Sequence, residues 1–340
     1  MYRTKMPMGD ATFTPRMKSR PKPSKNTDVF YNAIKKNVRT AFLCACLGKV
    51  LFPLYMMCAK FFEDRGYSER VFFCVGVTVI HSVLYFGMNG IFLFWDRNGI
   101  FEKYKLDRTE TMGPTDALMR KTWAQAIVGQ ALIGPVTLYF LYPIFKHFGS
   151  PSFVSELPSF YTLLKNFWIA YFCNDFFFYW AHRTVHSKLL YKWIHKQHHE
   201  YKGTIGFAAE FAHPVEQIFA NQGPTIIGCL VMGVHFHIFF TWLAVRLEQT
   251  YEGHSGYCFY GTWLHKIGLT NSEGAAYHDY HHTENCGNFG NGWLDHVFGT
   301  QDAWLAMGGV EGYIAKKRSE NALNYPHVRA ALKRKERKLR

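Results

Sequence analysis

The sequence contains no CxxC pair, no CxxCH haem-attachment site and no Gly-rich dinucleotide fingerprint following a strand. Without paired cysteine motifs, the eight cysteines at 44, 46, 58, 74, 173, 229, 258 and 286 read as reduced hydrophobic side chains with no inferred disulfide. The other two absences exclude an attached c-type haem and a Rossmann-type nicotinamide or flavin site. Redox chemistry in this chain would therefore draw its electrons from another protein. Nucleic-acid recognition modules are missing as well, although the formal net charge is +14. No charged N-terminal region runs promptly into an apolar one, so there is no cleavable signal pattern.

The charge is unevenly spread. Residues 1–40 hold ten Lys/Arg against two acids, and residues 316–340 hold the same, which leaves 19 bases and 21 acids between them. The excess is thus a property of two basic tails, suited to anionic lipid headgroups on a cytoplasmic leaflet. Residues 1–40 read as a disordered or peripheral arm, and 316–340 as a basic helical tail. The tail ends Arg337-Lys338-Leu339-Arg340, similar to dibasic signals that return membrane proteins to the endoplasmic reticulum.

Long apolar runs follow the first tail. Residues 41–62, 71–95, 123–148 and 159–181 are candidate membrane spans, since crossing takes about 20 apolar residues. The first run is weakened by Lys49 and Lys60, and either lies in the interface or spans with Lys60 snorkelling. The apolar block 215–247 is long enough for two short helices, with Gly223-Pro224, Gly228 and Gly233 as places to break and turn. The fold class expected is an all-α integral membrane protein, a transmembrane helical stem with a histidine-rich di-metal cap. Its parts are the arm (1–40), N-terminal membrane helices with a charged loop (41–158), a catalytic unit (159–315) and the tail (316–340).

Histidine is abundant, at 17 residues, and strongly clustered: His182-X3-His186, His195-X2-His198-His199 and His278-X2-His281-His282. Residues three and four apart share a helix face, so each cluster aims its imidazoles one way, as metal binding requires. Eight histidines exceed the four ligands of a tetrahedral zinc site, which points to two ions. All ligands of one centre must lie on one side of the bilayer. Counting crossings backward puts both termini there, together with Lys188, Lys192, Lys196 and Lys202, and the positive-inside rule makes that side cytosolic.

This pattern resembles the fatty acid hydroxylase superfamily of membrane di-iron oxygenases. The similarity covers roughly 160–306 and includes Asp175, Tyr179-Trp-Ala-His182-Arg183, Glu210-Phe-Ala-His213-Pro214, His254-Ser-Gly-Tyr257, Gly287-Asn-Phe-Gly290 and Asp295-His-Val-Phe-Gly-Thr300. The AHP and HSGY elements look most like sterol C4-methyl oxidases. The resemblance implies iron ligands at His182, His186, His195, His198, His199, His278, His281 and His282, with His254 a ninth and His213 a further candidate. It also implies a non-haem pair of iron ions, O2 as co-substrate and stepwise oxidation of a C4 methyl group. The expected partners are a membrane-embedded sterol or other lipid and an external NAD(P)H-driven donor, cytochrome b5 or a reductase, at the endoplasmic-reticulum membrane.

Asp175 lies seven residues before His182, on about the same helix face, and is expected to orient a ligand histidine. Glu210 and Asp279 are further candidates for that role. Rival readings keep the metal centre but exchange the substrate for a fatty acyl chain, a sphingolipid or another sterol position. Others make the chain a zinc hydrolase or an inactive sterol-binding membrane protein.

Overall fold

The computed structural model describes residues 26–106 and 114–324, with side chains between 33 and 320. Most of the expected arm and the end of the tail lie outside these residues. Among the described residues every element is helical and there is no β-strand. Helix α1 (Asn26–Asp64) starts inside the stretch read as an arm. No proline follows Pro23 until Pro53, and Lys and Arg cost little in a helix. Helix α2 (Glu69–Arg97) is capped by Ser68, whose hydroxyl accepts from the Val71 amide at 3.3 Å.

Two later helices are interrupted in the same way. Helix α3 (Asp116–Val128) widens into a π turn at Gly129–Ile133 and continues as α4 (Gly134–His147). Another π turn, Gln217–Gln222, leads into α6 (Gly223–Val231), which comes after α5 (Phe160–Val185) in the chain. Each of these two π turns ends at a Gly-Pro pair. Proline lacks an N–H and crowds the carbonyl four residues back, and the wider turn accommodates both defects.

Three helical stretches, 33–64, 69–97 and 116–147, are long and apolar enough to cross a membrane. The lysine-bearing first run is among them. Their outward faces expose Val50, Met57, Val83 and Phe140 by more than half, an apolar surface of the kind a bilayer covers. Helix α5, expected to span, is not one of the three. It carries Asn166, Asn174 and Asp175 on a buried face packed between α1 and α6.

The apolar block does break in two, as expected. Gly233 turns the chain between α6 and α7 (Phe236–His254), with φ +55°, and a Cβ there would lie 2.2 Å from the Phe148 carbonyl oxygen. Helix α2 packs on α4 and α7, and rings from these elements interlock in the core: Phe73–Phe236 at 4.8 Å and Phe145–Phe239 at 5.0 Å. Beyond this stem, α8 (Ser272–Glu284) rests on α7 and on α9 (Gly309–Asn324). The end of α7, the end of α5 and the length of α8 thereby meet at one place.

Candidate metal centre

Four chain segments supply the histidines. Helix α5 delivers His182 in its last turn and His186 at its C-cap. A π turn, Tyr191–His195, then presents His195, and a 3-10 turn, His198–Glu200, presents His198 and His199. His254 is the last residue of α7, and α8 carries His278, His281 and His282. Potential ligand atoms of His182, His186, His195, His199 and His281 lie within 4.8 Å of one another, and those of His198, His254, His278 and His282 do likewise. The two groups adjoin, with the His199 and His282 rings 4.6 Å apart.

The grouping explains the doubled histidines. Consecutive helical residues point roughly 100° apart, so an adjacent pair cannot serve one point in space. His198 and His199 accordingly go to different groups, and so do His281 and His282. Each HH pair bridges the two sites, while His278 and His282, one turn apart, join the same one.

The hydrogen bonds fix the rings for metal binding. Nδ1 faces a backbone carbonyl in His182 (Phe289, 2.8 Å), His254 (Thr250, 2.8 Å), His281 (Gly287, 2.7 Å) and His282 (Tyr201, 3.1 Å). A carbonyl only accepts, so Nδ1 donates. Burial pushes all nine imidazoles below the ordinary histidine range, His254 to about 4 and His281 to about 3, so they are neutral at pH 7. A neutral ring that donates from Nδ1 has a bare lone pair at Nε2. Those Nε2 atoms crowd together: His254 and His278 at 2.8 Å, His278 and His282 at 3.1 Å, His186 and His281 at 3.1 Å. A cation placed among them would take the lone pairs that His254, His281 and His282 turn inward. The residues therefore fit metal ions, and all-imidazole donors suit iron, zinc, copper or nickel.

Carboxylates brace this arrangement in ways the sequence reading only partly caught. Glu216, which it missed, is buried and lies 2.7 Å from His195 Nδ1. Its place in the first helical turn after His213-Pro214 was the available signal. Asp295 accepts from the Phe289 and Gly290 amides at 2.7 and 2.8 Å, fixing the loop whose carbonyls hold His182 and His281. Asp175 meets the same loop through Asn291, one step removed from any histidine. Asp279 instead binds Thr204 at 2.7 Å and Tyr313 at 2.6 Å, tying α8 to α9. Glu210 pairs with His81 at 2.6 Å. His213 stands outside both histidine groups, where its Nδ1 accepts from the Val215 amide at 3.2 Å and caps a helical turn.

A cavity of about 420 Å³ opens from His182, His195 and His198 and reaches Leu138, Leu141, Phe239 and Leu243 in the stem. It joins the histidines to the helices that meet the bilayer.

The family model for fatty acid hydroxylases matches residues 167–300. A Dictyostelium discoideum protein provisionally named a methylsterol monooxygenase is 37% identical over 238 residues, covering 69% of this chain and 86% of that protein. The chain belongs to the fatty acid hydroxylase family. Methylsterol monooxygenase 2-2 of Arabidopsis thaliana is 32% identical over 71% of this chain and 90% of its own length. A very-long-chain aldehyde decarbonylase of Oryza sativa subsp. indica is 31% identical over 72% and 92%. No solved structure matches the chain. The family match begins in α5 and ends just after Asp295, so it contains all nine clustered histidines, Glu216 and the loop that holds His182 and His281.

Proposed function

We propose that this chain is an O2-dependent monooxygenase of a membrane lipid, with a 4-methylsterol as substrate and the C4 methyl group as the point of attack. The observation that carries the reading is the pair of adjoining, neutral histidine groups opening on a cavity that runs into an apolar stem. Relatives named methylsterol monooxygenases favour the sterol. The aldehyde decarbonylases among the relatives favour the second reading, a long acyl chain.

In this reading two iron ions occupy the groups, one among His182, His186, His195, His199 and His281, the other among His198, His254, His278 and His282. Such a pair supplies the O2 activation that side chains cannot perform on an unactivated C–H bond. The protein's own part is positional. Backbone carbonyls and Glu216 hold His182, His195, His254, His281 and His282 by Nδ1, keeping their Nε2 atoms aimed inward. Cavity walls from the stem exclude water and hold the lipid with one carbon against the histidines. Electrons arrive from a separate NAD(P)H-driven donor, cytochrome b5 or its reductase, since the sequence offers no dinucleotide motif. The basic tails and Lys188, Lys192, Lys196 and Lys202 support a multi-pass arrangement in the endoplasmic-reticulum membrane with the site and both termini cytosolic.

Sterol profiling of cells whose only copy carries His198→Ala and His199→Ala tests the substrate. Accumulation of 4-methyl intermediates is the expected result. An unchanged sterol profile with altered acyl lipids would transfer the assignment to the second reading.

A further inference from the structure

One polar cluster in the cavity has no part in holding the histidines. His81, on the apolar helix α2, places Nε2 2.6 Å from Glu210 Oε1. The same oxygen accepts from the Tyr251 hydroxyl, and Glu210 Oε2 accepts from Gln130 at 3.3 Å. Four segments thus bring polar side chains to one point, and an ionisable group on a membrane-length helix is costly without a role. Both His81 and Glu210 line the cavity. The cluster shares this cavity with His198 and His254 of the second histidine group. The residue after Glu210, Phe211, offers its carbonyl to His198 at 3.4 Å, and Tyr251 lies three residues before His254 on α7.

The carboxylate takes the proton side of His81 Nε2, which leaves Nδ1 as the ring's second polar atom. Among the described residues, the hydrogen bond to Glu210 is the one His81 makes. If the ring is neutral Nδ1 accepts, and if it is charged Nδ1 donates. A hydroxyl group satisfies either state, being donor and acceptor at once.

We propose that His81, positioned by Glu210, is a subsite for a hydroxyl group on the lipid, adjacent to the carbon that is oxidised. The proposal rests on the monooxygenase reading and deepens it. In a 4-methylsterol the carbon that bears the hydroxyl, C3, is bonded to C4, so anchoring the hydroxyl in the cavity that His198 and His254 line brings the C4 methyl toward the histidines. A saturated acyl chain has no group for this subsite, which makes it a device for selecting sterols.

The test measures binding and turnover separately on the iron-loaded protein in detergent, using a 4-methylsterol and its 3-deoxy analogue. Wild type should bind the hydroxylated sterol about tenfold more tightly, the worth of one good hydrogen bond. In His81→Ala that preference should vanish through weaker binding of the hydroxylated sterol, with the analogue's affinity changed less than twofold. His81→Gln, which keeps a donor and an acceptor, should restore part of it. Iron content confirms that each variant is folded. Equal affinity of wild type for both sterols, or an equal loss for both in His81→Ala, overturns the subsite and makes the pair a structural staple. Failure of wild type to oxidise either sterol, with the binding preference intact, overturns the reaction and not the subsite.

Discussion

Adjacent histidines divide their work at this site, so their losses should be separable. His281 belongs to the five-histidine group and His282 to the four-histidine group. Replacing either with alanine should lower the metal content by about one ion per chain, and doing both should remove most of it, as read by elemental analysis. Equal and complete loss from either single variant would mean that the groups act as one site. Glu216→Gln, which weakens the hold on His195 Nδ1, should reduce metal affinity roughly 10–100-fold in a chelator competition. Unchanged retention would count against that role. The depressed imidazoles also set a pH dependence. Their folded pKa values lie below the ordinary 6.5, so as pH falls the unfolded chain takes up protons first. The metal-free protein should be at full stability above about pH 6.5 and lose it progressively toward pH 4. Thermal melts of chelated protein at pH 7.5 and pH 5 check this, and a higher midpoint at pH 5 would contradict it.

Among the elements, α5 and α6 pack tightly at Gly228. A Cβ there would lie 2.8 Å from the Ala170 Cα, a backbone atom that cannot swing aside. Gly228→Val should therefore cost about 1–3 kcal/mol by overpacking and lower the melting point. Because α5 carries His182 and His186, metal retention should fall with it. A variant as stable as the parent would show that the helices stand further apart. The helices themselves were largely legible, since long apolar runs and Gly-Pro pairs are strong local signals. Gly233 marked the hairpin turn for the physical reason the structure shows, a positive φ beside another backbone. The π turns were not legible, because a Gly-Pro pair signals a break without saying how the chain absorbs it. Helix α5 read as a membrane span from its aromatics, while Asn166, Asn174 and Asp175 mark one side of it as facing protein.

For the whole molecule, spacing exposed the histidines but not their partition. HXXHH gives the angle between neighbours, whereas the assignment of His281 to one group and His282 to the other depends on how α8 lies against α5 and α7. The loop at 287–291 shows the same limit. Gly287-Asn-Phe-Gly290 stood out as a motif, yet its work is done by carbonyls, which every residue possesses, and only tertiary structure tells which ones reach a histidine. His213 and His81 show how little membership of a motif says about a histidine's surroundings. The first lies within a motif and caps a turn, while the second lies in an apolar run and lines the cavity beside Glu210. The central claim is that nine histidines hold a pair of irons at the mouth of a lipid cavity. Elemental analysis of the intact protein, purified in detergent without chelators, tests it most directly. Two irons per chain is the predicted result; a single zinc, or a folded protein that takes up no iron when supplied with it, would contradict the account.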